Sequence, residues 1–350
     1  MKKKNAPDAV NISRQMLLAN YAKTCRSMGL NTNTLIYELI RGNEEQSELY
    51  NVLLEDAGGV IGPTDLKAFT CAILISFPHY YPVSLNDEAL TRTYGVGLSG
   101  TGIYTHIRCI RIWRQEVGNE GALAIASLLR CTKISITRLE LLDCDIGEQG
   151  CHAIAGALGT STSGKLHTLN LSYNRKISDG GTSKLCDGLF INTTLKELYL
   201  EYCNISAEGS IKLAQFVAMP HIALETLSLQ GNDLGDEGLY HFSLGLARSV
   251  NLKRLNLADN GIRHGVAALH AFGQSLQLSK SLAHVDLTYN PIEATGAEIL
   301  LKAVKTNKSK IQSFLVDSSI PPELFKQLHR PSETKSKKKK GLSKSKTKQR

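Results

Sequence analysis

The chain is 350 residues long, 42% of them hydrophobic, with 41 Lys or Arg against 32 Asp or Glu. That length and apolar content support a sizeable core, and length alone allows two domains. No run of about 18 apolar residues is present to span a membrane, and the opening MKKKNAPDAVNISRQMLL lacks the apolar stretch of a signal peptide, so the chain is expected inside the cell. The net charge of +9 is confined to one end. Arg330 to Arg350 hold ten Lys or Arg and one Glu, and everything before them holds 31 basic and 31 acidic residues. The eight cysteines form no C-x-x-C pair and show no metal-type spacing to histidine, so reduced thiols are expected.

In chain order, residues 1–106 are the least regular. SRQMLLANYAKTCRSMGL and NTLIYELIRG read as helices, and IGPTDLKAFTCAIL reads as a turn and a helix. Leu49 stands 58 residues before Ile107, the distance of two of the periods described next. The segment is expected to be a helical N-terminal cap grading into degenerate repeats. Within it, GVGLSG at Gly95–Gly100 matches the glycine pattern of a dinucleotide loop. It precedes THIRCIRIW, a strand, where a phosphate site needs a helix N-terminus, so a plain loop is expected.

From Ile107 the chain repeats itself. Ile107, Ile136, Leu166, Leu195, Leu224, Leu252, Leu282 and Ile311 each open a copy of one pattern, spaced 29, 30, 29, 29, 28, 30 and 29 residues apart. LKRLNLADNGI at 252–262 is typical. Its middle L-x-L alternates as a short strand does, with leucines inward and the intervening side chains outward. The ninth position holds Gln115, Cys144, Asn174, Cys203, Asn232, Asn260, Asn290 and Ser319, where an amide can satisfy backbone groups that a bend leaves unpaired. Helical spacing follows in stretches such as ALAIASLL, with Gly121, Gly150, Gly181, Gly209, Gly238 and Gly296 recurring at the helix start.

Together, the L-x-x-L-x-L-x-x-N/C-x-L pattern, the period and the full helix per copy resemble leucine-rich repeats of the ribonuclease-inhibitor type. The resemblance covers about 107–320. It implies an α/β solenoid, a horseshoe with parallel strands on the concave face and helices on the convex face. The division expected is a helical cap at 1–106, a repeat domain of about eight repeats at 107–329 and a disordered lysine-rich tail at 330–350. The arrangement is similar to a nucleolar type of leucine-rich-repeat protein. The wider family includes an inhibitor, a GTPase activator, actin-capping proteins and immune sensors, so the fold alone does not choose among them.

Chemistry is sparse. The chain has no H-E-x-x-H, G-x-S-x-G or Walker A motif. Cys151 and His152 are adjacent on a helix and point apart, and the histidines are scattered over different repeats. A non-enzymatic protein is expected, with no cofactor and no metal. The alternatives the resemblance implies are a GTPase activator and an axonemal or cytoskeletal subunit, the first opposed by a basic tail where such activators carry an acidic one.

What remains is the open face of the sheet. Reading the outward positions predicts a partner-binding set of Trp113, Arg138, Glu140, Tyr173, Tyr199, Glu201, Tyr202, Asp259, Asp286 and Tyr289. Aromatic groups suit interface hot spots, and acids outnumber arginines there, so a folded protein or peptide with basic character is expected rather than nucleic acid or membrane. In the tail, Lys337, Lys338, Lys339 and Lys340 form the densest basic run. It is expected to direct the protein to the nucleus or nucleolus besides the cytoplasm, or to grip RNA, another polyanion or ciliary microtubules.

Overall fold

The computed structural model of the chain describes residues 10–42, 48–55, 59–74, 102–159, 165–306 and 311–332. The GVGLSG loop and Lys337–Lys340 lie outside these residues. Two helices lead in, α1 (Arg14–Ser27) and α2 (Thr34–Arg41), followed by strand β2 (Asn51–Leu54) and helix α3 (Pro63–Ile73). A small parallel pair, β1 (Val10–Asn11) with β3 (Gly102–Ile103), stands apart from the main sheet. The repeats then run β4 (Cys109–Trp113), α4 (Gly118–Arg130), β5 (Arg138–Leu142), α5 (Glu148–Leu158), β6 (Thr168–Asn170), α6 (Ser178–Leu189), β7 (Glu197–Tyr199) and α7 (Ala207–Val217). They continue with β8 (Thr226–Ser228), α8 (Gly235–Leu246), β9 (Arg254–Asn256), α9 (Val266–Leu278), β10 (His284–Leu287), α10 (Ala294–Thr306), β11 (Ser313–Val316) and α11 (Pro322–Leu328).

Nine strands form one open parallel sheet in the order β2, β4, β5 and onward to β11. The repeat period sets its register, so that Ile110, Leu139, Leu169, Leu198, Leu227, Leu255, Val285 and Phe314 stand side by side. All eight are buried, as is the second inward row from Ile112 to Val316. Each such side chain contributes about 1.5–3 kcal/mol by leaving water, and because every row continues through all repeats the core is one continuous strip between sheet and helices. This is the horseshoe-type leucine-rich-repeat solenoid expected from the pattern.

The bend after each strand is where the ninth residue acts. The Asn174 side chain accepts from the N–H groups of Cys144 and Ile146 at 2.9 and 3.0 Å, and donates to the carbonyls of Leu141 and Leu171. Asn232 does the same for Cys203 and Ile205. One amide thus stitches its own bend to that of the repeat before it. Cys144 and Cys203 are buried free thiols directed at carbonyl oxygens, 3.4 Å from Ile112 O and 3.3 Å from Leu171 O respectively. Burial pushes both thiols up to about 12, which keeps them protonated and unreactive. Ser319 departs from the series: it is exposed, and its N–H goes to Asp317 at 2.8 Å.

The bends alternate in role, with Asn174, Asn232 and Asn290 each accepting from the bend before and Cys144, Cys203 and Asn260 between them not doing so, and the helix starts alternate too. Asn119 accepts from the N–H groups of Gly147 and Gly150 at the start of the next helix, and Asp179 accepts from Ser206 and Gly209 two repeats further on. Asp236 repeats the arrangement toward Arg263 and Gly265. These helices therefore receive N-terminal hydrogen bonds from the preceding repeat, in α7 alongside its own cap Ser206, whose Oγ accepts from Glu208 N at 3.2 Å. The structural unit is a pair of repeats. Ile107, Leu166, Leu224 and Leu282 stand 59, 58 and 58 residues apart although single repeats vary from 28 to 30.

The recurring glycines serve close packing. A Cβ on Gly121 would lie 2.7 Å from Val117 Cγ1, on Gly150 2.8 Å from Ile146 Cγ2, and on Gly209 2.6 Å from Ile205 Cγ2, so the helix start sits directly on the apolar anchor four residues earlier.

At the N-terminal end, β2 pairs directly with β4, Asn51 against Cys109 and Leu54 against Ile112. The 58 residues between Leu49 and Ile107 thus cross a single step of the sheet, not two. At the other end Arg330 exchanges both backbone hydrogen bonds with Phe314, at 2.7 and 2.9 Å, in an antiparallel bridge on the outer side of β11. Arg330, read from sequence as the first tail residue, is a partner of the edge strand.

Candidate functional site

The open face is a set of cross-strand tiers. In the middle tier Arg111, Glu140, Asn170, Tyr199, Ser228, Asn256 and Asp286 follow one another from β4 to β10. In the tier nearer the strand starts come Arg138, Thr168, Glu197, Thr226, Arg254 and His284. The alternation of the strands turns these side chains away from the core.

A ledge follows each strand end. Arg114, Asp143, Tyr173, Tyr202, Gly231, Asp259 and Tyr289 occupy the same position in successive repeats, all with positive φ, between 51° and 69°. For a residue with a Cβ this left-handed backbone costs about 1–2 kcal/mol. It is held because each of the first six donates its N–H to a carbonyl of the next repeat, as Tyr173 does to Glu201 O at 2.7 Å and Tyr202 to Gln230 O at 2.8 Å. The ledge side chains are thereby fixed at their roots on the rim of the open face. Tyr173 and Tyr202 stack with ring centroids 5.0 Å apart and planes 11° from parallel. On the far side of Tyr202 stands the one glycine of the ledge, and a Cβ there would lie 2.2 Å from the ring. Gly231 is therefore required twice, for its φ of 69° and for the space Tyr202 takes.

The ten residues predicted from sequence fall into three groups. Trp113, Arg138 and Glu140 lie at the β4–β5 end, where Trp113 is exposed and Arg114 sits 5.6 Å from its ring centroid. Glu140 departs from the expectation of a presented acid. It is buried, accepting from Arg111 and, at 2.9 Å, from Arg138. Burial opposes its ionised form, but the two guanidiniums outweigh burial and hold the carboxyl below its ordinary range. This end of the face is consequently arginine-rich.

Tyr173, Tyr199, Glu201 and Tyr202 come together in the β6–β7 group. Glu201 accepts from Ser228 Oγ at 2.6 Å, and Glu197 beside it accepts from Thr168 Oγ1 at 2.9 Å. Neither is ion-paired to a Lys or Arg among the described residues. Tyr199 is half-buried between Asn170 and Ser228, and burial first, then the Glu197 carboxylate, pushes its hydroxyl upward. Asp259, Asp286 and Tyr289 form the third group at the β9–β10 end. Asp259 and Tyr289 are exposed, Tyr289 by 70%, and Asp286 accepts from Thr288 N and Oγ1 at 2.9 and 2.7 Å. The residues sequence reasoning passed over are those that do the holding: Arg111 against Glu140, the hydroxyls of Thr168 and Ser228, and Gly231. The period gave the means to find them, since each is one repeat away from the residue it serves.

Among the described residues no group of three or more His, Cys, Asp or Glu is placed to hold a metal ion, and no helix is long and apolar enough to cross a membrane.

Comparison with known proteins places these features. The family model for the leucine-rich repeat matches residues 163–186, 192–214, 223–243 and 278–301. Pig (Sus scrofa) ribonuclease inhibitor is 28% identical over 247 residues, covering 67% of this chain and 51% of the inhibitor. The NACHT, LRR and PYD domains-containing protein 5 of Bos taurus is 32% identical over 180 residues, half of this chain and 16% of that protein. The chain thus spans about half the length of the inhibitor and less of the other relative. Among solved structures, leiomodin-1 actin-binding site 2 aligns at 12% identity and a TM-score of 0.38, over 46% of this chain and 90% of that one, a score too low to carry a reading.

Proposed function

We propose that this chain, a leucine-rich-repeat protein of the ribonuclease-inhibitor type, is a non-enzymatic scaffold that captures a folded protein or peptide of basic character on its open strand face. The observation that carries this reading is the Tyr173–Tyr202 stack, a rigid and partly exposed aromatic pair rooted in hydrogen-bonded left-handed backbone beside the carboxylates Glu197 and Glu201. Rigid aromatics lose little freedom on binding, and tyrosine is enriched among residues that dominate interfaces. Glu197 and Glu201 are held in place by hydroxyls yet keep their charge for an incoming cation. The lysine-rich tail serves nuclear or nucleolar delivery or polyanion contact in this reading, supported by its composition.

The test is affinity capture with the full chain and with Tyr173→Ala/Tyr202→Ala. Loss of a partner by the double variant, with a cooperative urea transition retained, supports the face. Retention of every partner, or a many-fold gain in GTP hydrolysis when a small GTPase is mixed with the chain, sinks it.

A further inference from the structure

The carboxylates of the open face are not distributed as those of the helix side are. From β7 to β11 the face and its ledge carry Glu197, Glu201, Asp259, Asp286 and Asp317 against the single guanidinium of Arg254. Helices α7 to α10 over the same span hold four acids and three lysines. None of the five face acids is ion-paired to Lys or Arg among the described residues. His284 adds no charge at neutral pH, since burial and the neighbouring Arg254 lower its imidazole. The solenoid therefore leaves unpartnered one sheet face whose field is negative toward its C-terminal end.

The chain itself supplies the complement. Its last described stretch is fastened to this end of the sheet, because Arg330 pairs with Phe314 on β11. Residues 333–350 carry eight lysines and Arg350 against Glu333. Lys337 and Lys340 are five and eight residues beyond Ser332, reaches of up to about 17 and 27 Å in extended chain. Strands lie about 4.8 Å apart, so from the Arg330 position outside β11 the three steps to β9 cover about 14 Å and the five steps to β7 about 24 Å. Lys337–Lys340 can therefore lie over the very acids that lack cations, and the exposed rings of Tyr289 and Tyr173 offer faces to an ammonium group.

We propose that segment 333–350 is an intramolecular ligand of the C-terminal half of its own open face, with Lys337–Lys340 set against Asp259, Asp286 and Glu201. The proposal rests on the reading of that face as a binding surface and adds its occupant in the absence of a partner. A tethered segment acts at millimolar effective concentration, so a partner must displace it, and a partner's apparent affinity falls by the fraction of chains with the tail engaged. Phosphate on Ser336, Ser343 or Ser345 removes up to about two positive charges each and releases the face.

The experiment is zero-length carbodiimide cross-linking of the full chain in low salt, using an equal mixture of nitrogen-14 and nitrogen-15 protein, with the joined peptides mapped by mass. The expected products join Lys337–Lys340 to Asp259, Asp286 or Glu201 within one isotope. They fall about tenfold in about 1 M NaCl, where charges more than about 3 Å apart are screened, and by a similar factor in Asp259→Asn/Asp286→Asn. Replacing Lys337–Lys340 by Gln, outside the folded repeats, must abolish the same products, which guards against a misfolded face variant. Mixed-isotope products would make the occupant a second copy and overturn the proposal, as would links spread evenly to Glu208, Glu237 and Glu298 on the helices. It is equally overturned if tail links are absent while the tail binds an RNA oligonucleotide no more weakly than the isolated 333–350 peptide does. A chain that lacks the links but loses a partner on Tyr173→Ala/Tyr202→Ala refutes the tail alone; one with the links and no partner refutes the scaffold reading.

Discussion

Glu140 and Glu201 are both carboxylates on the open face, one repeat pair apart, and their surroundings send them to opposite uses. At the β4–β5 end the neighbours are Arg111 and Arg138, so Glu140 is buried and its charge is consumed inside the molecule. At the β7 end the Glu201 carboxylate has, among the described residues, Ser228 Oγ as its side-chain donor, a neutral group that fixes its direction and leaves its charge to act outward. The backbone beneath is the same: parallel strands in one register over one leucine strip. In a solenoid the fold is thus indifferent to the side chains on its open face, and a single cross-strand neighbour decides whether a carboxylate stabilises the protein or is available to a partner.

That comparison breaks first if the core beneath the two ends differs. Leu141→Ala and Leu200→Ala remove equivalent buried side chains and should each cost about 2–5 kcal/mol in urea denaturation; a clear inequality would place the difference in the core. The next effect belongs to the charges. Glu140→Gln leaves Arg111 and Arg138 facing each other and should cost about 1–3 kcal/mol, a value reduced because both guanidiniums are nearly half exposed. Glu201→Gln, which keeps the hydrogen bond from Ser228, should cost under about 0.5 kcal/mol. Equal costs would erase the distinction drawn between the ends.

Acid sharpens it further. The folded state holds Glu140 below the ordinary carboxyl value of 4.5, so on acidification the unfolded chain takes up this proton first. The stability difference between the wild type and Glu140→Gln is therefore full at neutral pH and narrows as pH falls below 4.5 toward the folded value. A difference that stays constant down to that range would mean the ion pairs are not formed. The smallest expected effect is that of Tyr202→Ala on stability. It should be near or under about 1 kcal/mol, since the ring is half exposed and stacks on Tyr173, whereas partner capture should be lost altogether.

The repeat period made the strands, the inward leucines and the ninth-residue bends legible, because each depends on a residue's own place in the pattern. Glu140 was not legible from its place alone. Position assigned it outward, and only the guanidiniums of Arg111 on the neighbouring strand and of Arg138 two residues earlier on its own strand buried it. The stack of Tyr173 on Tyr202 likewise depends on Gly231, two residues past Leu229 in a third repeat. The N-terminal step from β2 to β4 escaped because 58 residues is twice the repeat period, so spacing alone counts two steps where the sheet makes one. The glycines were visible, but their cause, an anchor side chain under 3 Å from the missing Cβ, needed the packed helix start.

The alternation of bends whose amide accepts from the repeat before, Asn174, Asn232 and Asn290, with bends that do not, Cys144, Cys203 and Asn260, fixes how a chain of this kind can be shortened or lengthened. Taking out residues 166–223 would leave the Cys144 bend followed by the Asn232 bend, the same neighbours that Cys203 has now, and Asn119 would still reach the start of α5. Taking out 195–223 alone sets the Asn174 and Asn232 bends side by side and turns Asp179, which grips the start of α7, toward α8, whose opening residues were never shaped to receive it. The smallest heritable increment of this molecule is two turns of the solenoid, and any grafted or trimmed version that respects that increment should fold where one offset by a single turn does not.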